Sequence, residues 1–314
     1  SEIRRRRQWK QLGQQVHRAA LMDGILLIDK PQGWTSFDVI AKLRGAAGQK
    51  KIGHAGTLDP MATGVLPVLF GRATRAADLL PSGQKRYRAK ALFGVVTDTG
   101  DVTGTVLSDR RPVSLTEEQI RAALPAFTGE IRQTPPMYSA VKVGGRRLYD
   151  LARAGKEIER PQRSVTVHLL QLLGYDPERG EAELDVLCSK GTYVRSLVMD
   201  LGQALGPGAA LSGLRRTMSN GFSAGDCLTL DEAVSLAREG ALEERLVPLG
   251  EAFSALVRLD VGEWQAKMLK NGVRLSLPKL GNPESGVYAV WSGGEFLGLG
   301  TADRETGAMT LKQF

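Results

Sequence analysis

Cysteine occurs only twice in the 314 residues, as Cys188 and Cys227. Without a Cys-x-x-Cys pair, a disulfide framework or zinc ribbon is excluded, and a reducing, cytoplasmic setting fits. Both thiols read as small buried hydrophobes. Histidine is almost as scarce. His17, His54 and His168 show no metal-ligand spacing, so no metal is expected. No apolar run approaches a membrane span, and the Arg-rich start lacks the apolar stretch of a signal peptide. A Gly-x-x-x-x-Gly-Lys phosphate loop is missing, as is a nucleophile elbow. "GPGAAL" at 206–211 begins like a dinucleotide fingerprint, but Leu211 stands where the third glycine belongs. The sequence therefore carries no cofactor signature.

What is present is positive charge. The net charge of +8 points to an anionic partner. Residues 1–20 hold six basic side chains against one acid, Glu2, so they supply +5 and the body only +3. The case for nucleic acid must rest on local clusters. Lys42, Arg44, Lys50 and Lys51 form one. Lys85, Arg86, Arg88 and Lys90 surround Tyr87. A third runs from Lys142 to Arg163 and includes Arg146 and Arg147.

With 42% hydrophobic residues, the chain can build a sizeable core in about two domains. Ile25–Ile28 predicts a strand that breaks at Lys30-Pro31. "TSFDVIAKLRGAAG" predicts a helix with Ser36 as N-cap and Phe37, Ile40 and Leu43 on one face. A helix is expected from Arg147, behind a Gly-Gly turn. Another is opened by Thr192, with Val194, Leu197, Val198, Leu201 and Leu205 as its buried stripe. Strands that come in adjacent pairs as well as between helices indicate an α+β class. After about residue 250 the pattern changes to short strands and glycine turns, which read as a small β-barrel. The expected organisation is a basic arm over 1–21, a main domain over 22–250 and this barrel over 251–314. Lys267, Lys270, Arg274 and Lys279 have no acid between them and make a plausible RNA-facing surface on it. Truncating the barrel is expected to raise KM rather than unfold the remainder.

One stretch does not fit any regular element. "GHAGTLDPMATG", residues 53–64, packs three glycines, His54, Asp59 and Pro60 into a loop between two apolar segments. Pro60 pushes Asp59 out of the helical region. Gly53, Gly56 and Gly64 permit tight paths and close approach of a ligand. An aspartate has a pKa of ~3.9 and is ionised at neutral pH, so it can act as a nucleophile without a base. The bland alternative is an Asp-Pro turn in which Asp59 only bonds its own backbone.

Together with "GILLIDKPQGWTS" upstream, this loop resembles the pseudouridine synthases of the TruB family, which modify uridine 55 in the TΨC loop of tRNA. "KRYRAKALFG", "PPMYSAVKVGGRRLYDLARAG", "SKGTYVRSLVMDLGQALG" and "GAALSGLRRT" follow in the family's order, so the resemblance runs from about residue 22 to 250. The last ~60 residues are more loosely similar to a bacterial PUA-like domain. The resemblance implies a pseudouridine synthase fold with a mixed, largely antiparallel central sheet flanked by helices. It also implies a monomer that isomerises uridine in tRNA, at the T-arm, with neither cofactor nor metal and no protein partner. Asp59 would attack uracil C6 or the sugar C1′. Arg195 would pair with Asp59 and lower its pKa. Tyr87 would stack on the flipped uracil, with Tyr193 and Leu214 lining the same pocket, and His54 would fill the gap the nucleotide leaves. Lys30, Arg146 and Arg147 would contact phosphates, and Lys270 and Arg274 the RNA backbone. An assisting role in tRNA folding is compatible with this activity.

Two other readings compete. A retaining glycoside hydrolase or nucleosidase would use Asp59 with a second carboxylate ~5–5.5 Å away, for which Asp98 and Asp101 are the neighbours in sequence. A non-catalytic RNA-binding module would use the basic clusters and leave Asp59 dispensable.

Overall fold

The structure, a computed structural model, describes residues 21–81, 83–136, 142–143, 146–147 and 160–314. The basic arm over 1–20 and the helix expected beyond Arg147 lie outside the described residues. Arg146 and Arg147 themselves form a short strand paired antiparallel with Lys142–Val143, so Arg147 does not open a helix.

The frame is a ten-stranded mixed sheet. Its strands are β1 (Gly24–Lys30), β2 (Ile52–His54), β3 (Thr63–Phe70), β4 (Lys85–Phe93), β5 (Gly129–Gln133), β6 (Arg163–Asp176), β7 (Glu181–Cys188), β8 (Ala209–Ser219) and β9 (Leu228–Thr229), with Phe222–Ser223 added to β8. The order is β9-β1-β3-β8-β4-β7-β6-β5, and β2 pairs with β3. Only β1/β9 and β3/β8 run parallel. The expected α+β class and largely antiparallel sheet are found.

Period-two alternation organises β4. Tyr87, Ala89, Ala91 and Phe93 are buried, while Arg86, Arg88 and Lys90 point to the other face. The basic cluster around Tyr87 is thus split by the pleat. Arg86 holds Asp185 through both carboxylate oxygens, at 3.0 and 2.6 Å, and Lys90 meets Glu181 at 3.2 Å. Cross-strand acids take up two of the charges that the sequence offered to RNA.

Helix α1 (Ser36–Ala47) packs on the sheet through Val39, Ile40 and Leu43. Its N-cap is Thr35, not Ser36: the Thr35 hydroxyl accepts from the Asp38 backbone and the Asp38 side chain returns to the Thr35 backbone. Phe37 lies on the solvent side. Helix α2 (Glu117–Ala123) carries a second capping box, Thr116 with Gln119. Helix α3 (Val194–Leu205) starts at Tyr193 without a side-chain cap, so Thr192 does not open it. It buries Val194, Leu197, Val198 and Leu201 against β4, β7 and β8. Each such side chain contributes roughly 1.5–3 kcal/mol of gross transfer energy. Helix α4 (Leu230–Glu239) covers β1 beside α1.

The C-terminal segment contains β10 (Val257–Asp260), β11 (Leu275–Ser276), β12 (Gly286–Ser292), β13 (Glu295–Asp303) and β14 (Ala308–Gln313). They pair in the order β10-β12-β13-β14-β11. Among the described residues β10 and β11 do not pair with each other, so the sheet is open and not the closed barrel expected. Nor is it separate. Phe253, Ala289, Leu299 and Phe314 share one apolar cluster with Ile25, Leu27 and Leu69 of the main sheet and with Ala73 in the helical turn after β3. The change of pattern near residue 250 therefore does not coincide with a break in the core. None of the described helices is long and apolar enough to cross a membrane.

Candidate active site

The Asp59 loop is tied down from Gly56 to Pro60 by groups from elsewhere in the chain. Ser36, buried in the first turn of α1, donates to the Leu58 carbonyl at 3.2 Å and accepts from the Leu58 amide at 2.9 Å. The Gly33 amide donates to the Pro60 carbonyl at 2.8 Å. Lys30 is wholly buried, and its ammonium donates to the carbonyls of Pro31, Trp34 and Pro60 at 2.9, 2.6 and 3.3 Å. Burial brings this lysine down to about 8. The expectation that Lys30 reaches a phosphate is corrected here, because its three donors are already engaged inside the fold.

The third clamp is Arg216, the largest fully buried side chain among the described residues. Its Nε donates to the Val65 carbonyl at 2.8 Å and its Nη2 to the Gly56 carbonyl at 2.9 Å. Nη1 lies 3.5 Å from the Thr57 carbonyl. One planar guanidinium thus joins both ends of the loop. It reaches them because β8 runs parallel to β3 with Arg216 opposite Gly64. A Cβ on Gly64 would lie 2.1 Å from the Arg216 carbonyl, and its φ is +105°, so only glycine fits.

The loop delivers Asp59 to the first turn of α3. Asp59 Oδ2 lies 2.9 Å from Arg195 Nε, and no bond to its own backbone is needed to hold it. The Arg195 side chain is 5% exposed and the Asp59 side chain 37%, and both line one cavity. Arg195 also donates to the Thr99 carbonyl at 3.0 Å and lies 3.9 Å from the Asp101 carboxylate. Asp101 is buried and accepts from the Thr103 amide at 2.9 Å. The start of α3 is fixed by Gln133 at the end of β5. Its amide accepts from the Tyr193 amide at 3.0 Å and donates to the Tyr193 carbonyl at 3.2 Å.

A cavity of about 340 Å³ opens in front of this pair. Asp59, Arg195, Tyr87, Tyr193 and Leu214 all line it, as do Lys85 and Thr192. Five residues named from the sequence, drawn from three strands or loops and one helix, meet here. His54 lies at the end of β2 outside the lining. Burial and the Arg216 charge lower its pKa, which keeps the imidazole neutral, and its Nδ1 has no hydrogen-bond partner among the described residues. Lys270 and Arg274 are remote and exposed, and Lys270 already meets Glu295 at 3.2 Å. Nothing is described of the Arg146 and Arg147 side chains. Among the described residues no group of His, Cys, Asp or Glu side chains could hold a metal.

The electrostatics differ from expectation in one respect. Arg195 and Lys30 do pull Asp59 down, but burial, helped by the Asp101 charge, outweighs them and leaves the carboxyl above its ordinary value. Burial likewise raises the Tyr87 phenol, which stays neutral. Asp98 and Asp101, the second carboxylates a glycosidase would need, do not line the cavity: Asp98 accepts from the Thr105 amide and Asp101 is turned toward Arg195.

Sequence comparison bears on the same residues. Positions 44–194 match the family model for the N-terminal domain of TruB family pseudouridylate synthases. Positions 195–254 match the C-terminal domain of tRNA pseudouridylate synthase B. A tRNA pseudouridine synthase B from Symbiobacterium thermophilum is 48% identical over 256 residues, covering 81% of this chain and 84% of that protein. This chain belongs to the TruB family. A TruB relative from Aromatoleum aromaticum, also a tRNA pseudouridine synthase B, is 42% identical over 287 residues and covers 91% of each chain. Among solved structures, one chain of a Cbf5-Nop10-Gar1 complex superimposes with a TM-score of 0.71 at 27% identity, covering 93% of this chain and 84% of that one. The TruB assignment confirms the family that the ordered motifs indicated and accounts for the pseudouridine synthase fold.

Four residues of the site escaped sequence reasoning: Ser36, Gln133 and Arg216, which clamp it, and Lys85, which lines its cavity. Ser36 and Arg216 gave a usable signal. A serine beside a better N-cap is free for another partner, and in the Arg215-Arg216 pair the strand pleat must send one side chain inward. Arg215 goes outward and grips Asp29 at 2.7 and 3.0 Å. Gln133 gave none.

Proposed function

We propose that this enzyme converts uridine 55 in the T-loop of tRNA to pseudouridine, with Asp59 as its nucleophile. The observation that carries the reading is the Asp59–Arg195 pair, 2.9 Å apart, at the wall of a cavity lined by Tyr87, Tyr193 and Leu214. The names of the TruB relatives support tRNA as the substrate class.

The cavity lies below the surface, so the target base must leave its stack to enter. The Tyr87 face packs on the uracil, an interaction worth ~1–3 kcal/mol, while Tyr193 and Leu214 close the sides. Arg195 keeps Asp59 ionised against the push of burial and aims its free oxygen into the cavity. Asp59 bonds to the nucleotide at C6 or C1′, and the C1′–N1 bond breaks. The base turns, C5 bonds to C1′, the C5 proton departs and N1 takes one up. Asp59 leaves unchanged, so atoms and charge balance without an oxidant or a cofactor. Neutral His54 beside the loop fits the role of filling the space the nucleotide vacates. The open C-terminal sheet acts as a PUA-like RNA-binding module, and Lys270, Arg274, Arg146 and Arg147 meet the RNA backbone. Recognition of a folded T-arm rests mainly on shape.

The test is to incubate the protein with an unmodified tRNA transcript and map pseudouridine. A single modified position in the T-loop is expected. Release of free uracil would instead favour the hydrolase, and unchanged RNA would favour the binding module.

A further inference from the structure

Lys85 has no place in the reaction above, yet it stands in the wall of the same cavity. The pleat puts it on the Tyr87 side of β4, two residues away, which is about 7 Å along a strand. Its neighbours Arg86 and Lys90 have carboxylate partners on β7, whereas Lys85 faces Cys188 on that strand. Among the described residues no hydrogen bond or ion pair holds its ammonium. The other charged and titratable groups around it are Arg216 from β8, Lys190 from the loop after β7, and Asp59, Arg195 and Tyr87 in the cavity. Two of the charges acting on it, Arg216 and Lys190, are positive.

Gly56 explains how such a side chain is accommodated. It has φ +76°, its carbonyl is taken by Arg216, and a Cβ there would lie 3.1 Å from Lys85 Nζ. Glycine leaves the ammonium its space without offering it an acceptor. Desolvation and the neighbouring cations bring Lys85 down to about 8. A half-buried, unpaired ammonium costs free energy unless an anion arrives with the substrate.

We propose that Lys85, with Lys190 beside it, forms a subsite for a backbone phosphate flanking the flipped nucleotide. This inference rests on the uridine-isomerising reading of the cavity. The base stacks at Tyr87 with its sugar facing Asp59, and the adjoining phosphate reaches one side-chain repeat further along β4. The anion satisfies Lys85 only when the nucleotide is fully inserted, so the contact rewards insertion rather than surface association. The subsite discriminates a nucleotide in a polynucleotide chain from a free nucleoside.

The test uses the full-length protein, a T-arm stem-loop RNA and saturation kinetics at several pH values. Lys85→Met keeps the length and removes the charge, and is expected to raise KM roughly tenfold, the effect of one charge-assisted contact, with kcat within about twofold. Wild-type KM is expected to climb above pH 8 as the ammonium deprotonates. Lys85→Arg, which keeps its charge, should remove that climb. A methylphosphonate at the phosphate 5′ or 3′ of the target uridine should reproduce the Lys85→Met loss in wild type and add nothing in Lys85→Met. Circular dichroism confirms that each variant is folded, and Lys85→Arg carries the test alone if Lys85→Met is not. Unchanged KM in folded Lys85→Met, additive loss with both neutral linkages, or a pH climb that persists in Lys85→Arg would each overturn the subsite. Wild-type protein that makes no pseudouridine in the stem-loop would refute the functional reading itself, which the variants do not touch.

Discussion

Arg216 offers the sharpest test of how this fold builds its site. It is wholly buried, no carboxylate hydrogen-bonds it among the described residues, and it is not itself part of the cavity lining, although it contacts Thr57 and Tyr87 from behind. Arg216→Met keeps the bulk and removes the fork. Two good charge-assisted bonds, to Val65 and Gly56, are lost at ~1.5–3 kcal/mol each, and both carbonyls are left buried. Removing a buried cation returns part of this, since its desolvation had cost several kcal/mol. The net is a destabilisation of ~2–4 kcal/mol, and at ~2–4 °C per kcal/mol the Tm should fall by roughly 5–15 °C. With the loop released, Asp59 is no longer held against Arg195. A misplacement of about 1 Å costs on the order of 100-fold in turnover. Arg216→Lys keeps the charge but cannot reach both carbonyls, so it should fall between Arg216→Met and wild type. The assays are thermal unfolding by circular dichroism and single-turnover pseudouridine formation. Arg216→Met with wild-type Tm and turnover would show that the loop holds Asp59 without its clamp, and the argument from buried carbonyls would be wrong.

Other outcomes follow from the same geometry. Asp59→Asn is nearly isosteric and should abolish turnover while RNA binding, measured by filter retention, persists. Arg195→Lys should lower kcat by at least about 100-fold with little change in KM, because one ammonium cannot serve Asp59, Thr99 and Asp101 together. Since burial raises the Asp59 carboxyl, and only its ionised form reacts, the acid limb of the pH–kcat profile should lie above the ordinary aspartate range of ~3.9. Asp101 adds to that rise, so Asp101→Asn should move the limb to lower pH, and movement to higher pH would contradict the assignment. Ending the chain near residue 250 removes Phe253, Ala289, Leu299 and Phe314 from the cluster they share with Ile25, Leu27 and Leu69. Loss of Tm and of both kinetic parameters is expected, rather than the KM effect that the sequence pattern implied.

Much of this protein was legible in its sequence, for local reasons. The strand over Ile25–Ile28, the helix around Ile40 and Leu43 and the stripe Val194–Leu201 follow from side-chain period, which neighbours in sequence determine. The Asp59 loop announces itself because an aspartate before proline among glycines has no use in a helix or strand. Order of motifs then named the family. Tertiary structure decided what depends on partners far apart in sequence. Ser36 looks like a cap until Leu58 is beside it, 22 residues later. Lys30 reads as a surface cation until three carbonyls surround it. Arg86 and Lys90 read as RNA contacts until β7 brings Asp185 and Glu181 across, about a hundred residues away. The sign of the Asp59 shift is of the same kind: a partner charge is written in the sequence, but the loss of water around a carboxylate belongs to the folded surface and outweighs it. So is the shared core beneath residue 250, because side-chain period shows which residue types turn inward and only packing shows against what.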